Sequence, residues 1–348
     1  LGLPRFDSAA CFAALLGDAV DTMLAHGGYD ALVSFQAVTG ISTQHRPLVT
    51  DLWARVRAAH PDLTVAVVSI FDEANRDFLE AQRCLTFEEP AAAVRAIAAL
   101  HGFRQHFDRA AAPIALPEPV VLHGERLDEA AALQLLASAD IPVVPSRAVS
   151  TAGEAATAAA AIGFPVALKV LSADIAHKSD VGGVALDLAD EAAVRAAFER
   201  VTENAARAVP GARIDGALVA PMIGNGVECI LGVTRDPVFG PVVMFGLGGI
   251  LVEVLKDVTF RRAPFDLAEA HRMIREIRGW PVLGGVRGQP AVDVDAIAEA
   301  LAALSRFAAA NADTIESIDI NPFIARPHGQ PACAVDALIG ARAPRARA

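Results

Sequence analysis

A single lysine inside an apolar, strand-like segment constrains this chain more than any other feature of its sequence. Lys169 lies in the run Val166-Ala-Leu-Lys-Val-Leu, which is typical of a buried strand. Burying an ammonium group costs free energy unless it meets an anion, so we expect the strand to face a ligand, with phosphate as the expected anion. The loop that follows carries His177 and the pair Gly182 and Gly183, whose backbone amides can approach a phosphate closely. Taken alone, the Gly-Gly pair is equally typical of a simple hairpin.

Length and charge narrow the class of protein. With 348 residues the chain is long enough for two or three domains. Its net charge of -11, from 30 basic and 41 acidic residues, disfavours general binding to nucleic acids. We find neither a signal-peptide pattern nor an apolar run of the roughly 18 residues that a membrane span needs, so we expect a cytoplasmic protein without a membrane segment. Because the chain begins with Leu1 rather than Met, we expect a fragment or one piece of a longer protein.

Cysteine usage predicts reduced thiols. The four cysteines, Cys11, Cys84, Cys229 and Cys333, lie far apart and form no Cys-x-x-Cys pair. This pattern fits reduced thiols in a cytoplasmic protein better than a disulfide framework or a zinc site. We therefore expect these side chains to fill core positions.

Residues 1–111 are predicted to form a small α/β domain. Buried parallel strands are predicted at Ala31 to Phe35 and Leu63 to Ile70, with helices at Pro47 to His60 and Pro90 to His101. Residues 38–43, after the first strand, have the small and hydroxyl side chains expected at a helix N-terminus. Such an end can bind a phosphate, and an ordinary capped turn explains the pattern equally well.

A proline cluster separates this domain from the rest of the chain. Pro113, Pro117 and Pro119 disfavour regular structure, so we place a linker at 112–122, followed by an α+β domain at 123–340 and a frayed tail at 341–348. Strands joined by hairpins are predicted to dominate the middle of this second domain. The predicted helices are Leu127 to Ser138, Thr151 to Gly163, Leu267 to Arg278 and Val294 to Ala310, and the predicted strands include Pro165 to Leu171, Val184 to Leu188, Ala217 to Met222, Val227 to Thr234, Pro241 to Phe245, Ile315 to Phe323 and Ala332 to Ile339.

A second cluster suits the nucleoside part of a nucleotide. The apolar strand Ala217 to Met222 leads into a loop that ends near Glu228. Backbone groups around Val219 could meet an adenine edge, and the Glu228 carboxylate could accept hydrogen bonds from ribose hydroxyls. A plain core strand is the alternative for Val219.

A third cluster suits a magnesium ion. Asp319 and Asn321 share one face of a predicted strand because side chains alternate with period two. With Asp336 from the adjacent strand they offer oxygen ligands to a Mg²⁺ that also binds substrate phosphates. The alternative is a solvated strand face, which Ile318 and Ile320 disfavour because they predict that the opposite face is buried.

Longer motifs occur in a fixed order in this second part of the chain. They are Gly163-Phe-Pro-Val-Ala-Leu-Lys, His177-Lys-Ser-Asp-Val-Gly-Gly-Val, Glu228 with Ile230-Leu-Gly-Val, Asp236-Pro-Val-Phe-Gly-Pro, Glu253-Val-Leu-Lys-Asp-Val and Asp319-Ile-Asn-Pro. Over roughly residues 120–340 the chain resembles the ATP-grasp half of the NDP-forming acyl-CoA synthetases. That family includes ADP-forming acetyl-CoA synthetase and is related to succinyl-CoA synthetase. Residues 1 to about 109 more loosely resemble its flavodoxin-like ligase domain, beginning after the usual first strand. The fold implied is a flavodoxin-like α/β domain followed by an α+β ATP-grasp domain.

The resemblance implies a reversible reaction in which a carboxylic acid, CoA and ATP give acyl-CoA, ADP and phosphate through a phosphohistidine. His177 matches a histidine thought to relay the phosphoryl group on a swinging loop. The family's CoA-binding domain and its main phosphohistidine domain do not match any part of this chain, so a partner subunit or further N-terminal domains are implied. The other implied roles are nucleotide phosphate binding by Lys169, a flexible loop at Gly182 and Gly183, nucleoside binding by Glu228, and Mg²⁺ binding by Asn321 with Asp336.

Other functions fit the same residues. His177 could be a surface residue that caps its loop, and the whole chain could be an ATP-grasp ligase that joins a carboxylate to an amine without CoA. A regulatory nucleotide-binding module is a third alternative. Intact Lys169, Asn321 and Asp336 argue against it, because a sensor has little need of Mg²⁺ ligands arranged for phosphoryl transfer. The identity of the acid and the assembly state stay open.

Overall fold

The computed structural model describes residues 9–37, 39–41, 46–107, 113–122, 127–249, 256–286, 288 and 290–342. The chain divides into two compact units, Leu1–Ala112 and Pro113–Ala348. Each unit has its own hydrophobic core.

The first unit contains a parallel sheet of three strands in the order β1-β2-β3. Ala31 of β1 pairs with Thr64 of β2, and Ala66 of β2 pairs with Leu85 of β3. Helical connections between parallel strands explain the alternating pattern of the sequence. The elements are α1 (Ala9–Gly27), β1 (Ala31–Phe35), α2 (Arg46–Ala59), β2 (Thr64–Val68), α3 (Glu73–Ala81), β3 (Leu85–Phe87) and α4 (Pro90–Phe107).

The expectation that both early strands are buried holds only for β2. Every residue of β2 from Val65 to Val68 is buried, whereas Val33 and Phe35 of β1 are exposed. The difference follows from position, because β2 is the central strand of this sheet and β1 lies at its edge. Half of the proposed phosphate site at residues 38–43 falls outside the described residues, namely positions 38, 42 and 43. Its described part, Thr39–Ile41, is a single 3-10 turn.

The second unit begins with a small sheet in the order β4-β7-β5-β6. Two helices cover one face of this sheet, with the side chains of Leu168 and Val170 from β5 packed beneath them. The other face carries Lys169, because neighbouring side chains on a strand alternate. The elements are β4 (Arg147–Val149), α6 (Ala152–Ile162), β5 (Val166–Leu171), β6 (Val184–Leu188), α7 (Glu191–Ala208) and β7 (Gly216–Pro221).

The prediction of a middle section made mainly of hairpins was wrong between β6 and β7. Helix α7 connects them, and its cap residue Asp190 accepts a hydrogen bond from the Ala193 amide at 2.8 Å. Its buried residues are spaced three or four apart, as on an amphipathic helix, and are Val194, Ala197, Val201 and Ala205.

The larger sheet of the second unit has six strands in the order β10-β9-β8-β11-β12, and β13 also pairs with β11. Helices pack on one face of the sheet and form the largest core of the protein. The elements are α5 (Glu129–Ser138), β8 (Val227–Asp236), β9 (Gly240–Leu247), β10 (Val258–Arg262), α8 (Leu267–Glu276), α9 (Trp280–Leu283), α10 (Val294–Ala310), β11 (Ile315–Ala325), β12 (Cys333–Ala334) and β13 (Ala337–Ala341).

The linker and tail predicted from sequence are only partly described. Residues 113–122 contain no helix or strand, and the Val120 amide donates to Asn311 Oδ1 at 2.7 Å. Strand β13 reaches Ala341, so regular structure continues one residue into the predicted tail, and residues 343–348 lie outside the described part. Within the described ranges, no helix has both the length and the apolar character to cross a membrane.

The expectation of reduced core thiols is confirmed for the three cysteines whose side chains are described. Cys84, Cys229 and Cys333 are free and buried. Burial raises the pKa of Cys84 to about 11 and that of Cys229 to about 12. It also raises the pKa of Cys333.

We predict that these three thiols react slowly in the native protein. At pH 8 they are protonated as well as inaccessible, so residue-resolved iodoacetamide labelling should be at least about tenfold slower in native than in denatured protein. An unfolded thiol ionises near pH 8.5, below the folded pKa, so the thiols also lower the free energy of unfolding as pH rises above about 8.5. Rapid native labelling of Cys229 would contradict the buried placement.

Candidate functional site

Lys169 meets two carboxylates on the face of the small sheet opposite α6 and α7. Its Nζ lies 2.8 Å from Glu129 Oε1 and 2.8 Å from Asp336 Oδ2, and it donates to the Val335 carbonyl oxygen at 3.0 Å. The expectation that the buried ammonium group meets an anion is therefore correct. In the structure that anion is a pair of carboxylates. The contact joins β5 of the small sheet to the start of α5 and to the segment between β12 and β13.

A second lysine, Lys178, enters the same cluster. Its Nζ lies 2.9 Å from Glu129 Oε2 and 3.6 Å from Asp336 Oδ1. The Glu129 side chain is 0% exposed, while the Lys169 and Lys178 side chains are 10% and 7% exposed. Two ammonium groups and two carboxylates balance in charge, which a buried ionic cluster requires. We call these four residues the lysine-carboxylate cluster.

Sequence analysis missed Glu129 and Lys178 as site residues. Glu129 follows the cap residue Asp128, whose carboxylate accepts from the Ala131 amide at 2.8 Å. An acidic residue there is common in any helix, because it complements the helix dipole. Nothing in the neighbouring sequence shows that this carboxylate is buried, or that it pairs with a lysine 40 positions later in the chain. The available signal for Lys178 was its place beside His177 in a motif already assigned to phosphate chemistry.

The carboxylates determine the charge state of Lys169. Burial lowers its pKa, and the neighbouring Glu129 and Asp336 raise it by more, so the net pKa is raised above the ordinary lysine value. Lys169 is therefore a permanent cation at neutral pH. A permanent cation on the inner face of a sheet is suited to binding phosphate oxygens.

His177 lies on the exposed side of a loop whose other residues are held in place. Ile175 and Lys178 are buried on either side of it. The Arg213 amide donates to Asp174 Oδ2 at 2.9 Å, before the histidine in the sequence. The imidazole is thus accessible at a fixed position near the lysine-carboxylate cluster.

Gly182 and Gly183 close this loop into a tight turn. The Gly183 amide donates to the Lys178 carbonyl oxygen at 2.8 Å, and the Gly182 carbonyl oxygen accepts from Asn204 Nδ2 at 3.2 Å. A Cβ on Gly183 would lie 2.6 Å from Val170 Cγ1, and Gly182 has a φ of +64°. Both positions therefore need glycine for close packing and a left-handed turn.

The candidate magnesium ligands meet on the exposed face of the large sheet. Ile318 and Ile320 point into the core, while Asp319 and Asn321 are exposed, as the alternation predicts. The Asn321 backbone amide donates to the Asp336 backbone carbonyl oxygen at 3.3 Å, at a shift in the register of β11 against β8 between Ile320 and Phe323. The structure thus brings the three residues together at one point.

Electrostatics at this point favour a cation. Desolvation and then the nearby Asp336 carboxylate raise the pKa of Asp319, and His177 lowers it. The Asp319 residue is exposed, but the atoms around its carboxylate displace enough water to raise its pKa. A divalent ion would relieve the repulsion between the two carboxylates, and carboxylate and amide oxygens are the donors that Mg²⁺ prefers.

The described residues contain no group of three or more His, Cys, Asp or Glu side chains that could hold a metal. The two carboxylates and Asn321 therefore offer an incomplete ligand set. That suits an ion whose remaining ligands are water and nucleotide phosphate.

Glu228 lies on the same sheet face as Asp319. Its strand neighbours Cys229 and Leu231 point into the core, whereas Glu228 is exposed. Glu228 Oε2 is 3.6 Å from the position that a Cβ on Gly249 would take. The carboxylate therefore borders a glycine pair, Gly248 and Gly249, at the end of β9.

Val219 was wrongly predicted to contact a nucleotide. It is 0% exposed, and it pairs with Arg147 of β4 on one side and with Leu168 of β5 on the other. A residue in the middle of a sheet uses its backbone in the ladder and its side chain in the core. Val219 supports the strand that leads to the site without offering groups to a ligand.

The second unit of the chain is similar to known proteins. Residues 122–340 match the family model described as an ATP-grasp domain. The chain is 40% identical over 230 residues to the β subunit of acetate–CoA ligase (ADP-forming) I of Pyrococcus furiosus, covering 66% of this chain and 98% of that subunit. It is 43% identical over 205 residues to acetate–CoA ligase (ADP-forming) I of Archaeoglobus fulgidus, covering 59% of this chain and 30% of that longer protein.

A solved structure shares the fold. It is the dinucleotide-forming acetyl-coenzyme A synthetase 1 of Ca. Korarchaeum cryptofilum, in complex with coenzyme A and Mg-AMPPCP, with a phosphohistidine segment pointing towards the nucleotide-binding site. The TM-score is 0.53 at 41% identity, and the match covers 62% of this chain and 92% of that chain. Through its ATP-grasp domain, this chain belongs to the NDP-forming acyl-CoA synthetase family.

Proposed function

We propose that this chain supplies the ATP-grasp part of an ADP-forming acyl-CoA synthetase, which makes acyl-CoA, ADP and phosphate from an acid, CoA and ATP. The observation that carries the proposal is the meeting of Lys169, Asp336 and Asp319 from two different sheets beside an accessible histidine. The similarity to β subunits of acetate–CoA ligases supports it further.

In this proposal, ATP binds with its phosphates between the two sheets. Lys169 holds phosphate oxygens, and Glu228 lies near the nucleoside on the exposed face of the large sheet. Asp319, Asn321 and Asp336 would hold Mg²⁺, which neutralises charge on the phosphates. Asp336 would contribute a carboxylate oxygen to the metal, and Lys169, which is paired with Asp336 in the structure, would offer its ammonium group to the phosphate.

His177 is the proposed phosphoryl acceptor. A neutral imidazole nitrogen attacks the γ-phosphorus, and a nitrogen–phosphorus bond forms as the bond to the oxygen that bridges the β- and γ-phosphorus atoms breaks. ADP leaves with the electron pair of the broken bond. Lys169 stabilises the negative charge that this oxygen gains.

The later steps need groups beyond those assigned to this chain. The phosphoryl group would pass to a further histidine and then to the acid, giving an acyl phosphate that CoA attacks. We propose that a partner subunit or additional domains provide the CoA-binding site and the second histidine. The first unit would then be the flavodoxin-like ligase domain, because three parallel strands in consecutive order match one side of the doubly wound order 2-1-3-4-5.

Nucleotide binding provides the first test. Titration calorimetry with Mg²⁺ and a non-hydrolysable ATP analogue should show binding, and Lys169→Met should weaken it at least about tenfold because a charge-assisted phosphate contact is lost. Arg207→Met is the matched control, since Arg207 forms only an exposed pair with Glu203 on α7. No binding by the unaltered chain would refute the proposal.

Phosphoryl transfer provides the second test. Incubation with γ-labelled ATP and Mg²⁺ should give an acid-labile, base-stable label on His177, as expected for a phosphohistidine. His177→Asn should abolish the label and leave affinity for the ATP analogue within about threefold, because the imidazole acts after binding. A label that persists in His177→Asn would move the acceptor to another residue.

Asp336→Asn separates the metal role from the phosphate role. Losing one carboxylate weakens the cation site, so the Mg²⁺ concentration that gives half-maximal labelling should rise at least about fivefold. Glu203→Gln, which removes an exposed carboxylate on α7, is the control and should leave that concentration unchanged. An unaltered Mg²⁺ requirement in Asp336→Asn would exclude Asp336 as a ligand.

A further inference from the structure

Lys178 occupies an unusual position for a residue beside an exposed histidine. The sequence contains three lysines among its 30 basic residues, at positions 169, 178 and 256, and two of these meet at one carboxylate. Elsewhere in the described chain arginine forms ion pairs, including two exposed pairs on α7. A compact ammonium group fits a small buried cluster better than a planar guanidinium does.

We propose that Lys178 and Glu129 are positioning residues that tether the His177 loop to the nucleotide site. The inference rests on the proposed function and adds two residues to it. His177 and Lys178 are consecutive, so the buried ion pair fixes the backbone directly beside the exposed imidazole. Glu129 divides its two oxygens between the lysines, with Oε1 on Lys169 and Oε2 on Lys178.

Glu129 is suited to a fixed role and unsuited to a metal. Its side chain has no exposed surface, and both of its oxygens face ammonium groups at 2.8 and 2.9 Å. Asp336, by contrast, is 29% exposed and lies at 3.6 Å from Lys178. When Asp336 turns to a metal, Glu129 remains the counterion that keeps Lys178 and its loop in place.

Further contacts complete the tether on both sides of the histidine. Before it, Ser172 Oγ accepts from the Asp174 amide at 3.2 Å, and Ile175 is 5% exposed. After it, the Gly182 amide donates to the Ser179 carbonyl oxygen at 3.1 Å. These contacts argue against free swinging of the loop. His177 is presented from one position, and the group that receives its phosphate has to approach it.

The test measures loop protection and phosphoryl transfer in the same variants of the full chain. Lys178→Met removes the charge and keeps most of the side-chain volume. We expect amide hydrogen exchange in residues 173–182 to become at least about tenfold faster, and labelling of His177 to become at least about tenfold slower. Affinity for the ATP analogue with Mg²⁺ should stay within about threefold, because Lys169 is intact. Arg207→Met should change none of these values.

Several outcomes would overturn the tether. Unchanged exchange and labelling in Lys178→Met would remove any positioning role. Slower labelling with unchanged exchange and weaker nucleotide binding would make Lys178 a phosphate ligand instead. If Lys178→Met unfolds, Lys178→Arg replaces it in the test, because arginine keeps the positive charge but has a planar guanidinium in place of the compact ammonium group. Exchange and labelling should then change together by an intermediate factor, and a change in one alone would refute the proposal.

The unaltered chain separates this inference from the proposed function. If it neither binds the ATP analogue nor labels His177, the proposed function fails. The exchange comparison between Lys178→Met and Arg207→Met still decides whether the ion pair holds the loop.

Discussion

The buried carboxylate of Glu129 is the contact on which the candidate site depends. It belongs to α5, which packs into the core of the large sheet, and it binds Lys169 from the small sheet. Left without partners, a buried charge costs several kcal/mol, so neither lysine nor Glu129 is stable there alone. The cluster therefore joins two separately packed layers at the place where ligand chemistry is proposed.

The same cluster explains how buried charges lie in a stable arrangement in the structure. Lys169 faces carboxylates, and Asp336 faces lysines. In the proposed reaction, a nucleotide phosphate would offer Lys169 a negative partner in place of a carboxylate. Mg²⁺ would offer Asp336 a positive partner in place of a lysine.

Structural features that depend on a short sequence period can be predicted from the sequence. Period-two alternation predicts that Asp319 and Asn321 share one face of their strand, and both are exposed in the structure. Asp190 and the buried residues after it have the spacing of a capped amphipathic helix. The apolar runs on either side of α7 instead favour hairpin strands, so the sequence analysis does not predict this helix.

Long-range neighbours could not be predicted in the same way. Nothing around Glu129 distinguishes it from an ordinary acidic residue at the start of a helix, since its role depends on lysines 40 and 49 positions later in the chain. The prediction that Val219 contacts a nucleotide was wrong for a related reason. Its burial in the middle of a sheet depends on which strands lie on either side of it.

A tethered histidine also changes what has to move in the proposed reaction. Lys178 is paired with Glu129, and the turn packs closely against β5, since a Cβ on Gly183 would lie 2.6 Å from Val170 Cγ1. The distance that the phosphoryl group has to travel must then be covered by its next acceptor. A fixed donor fits a chain that binds the nucleotide and leaves the mobile step to a partner. In the proposed reaction, His177 would then need little ordering before transfer, because the contacts around its loop already hold it in place.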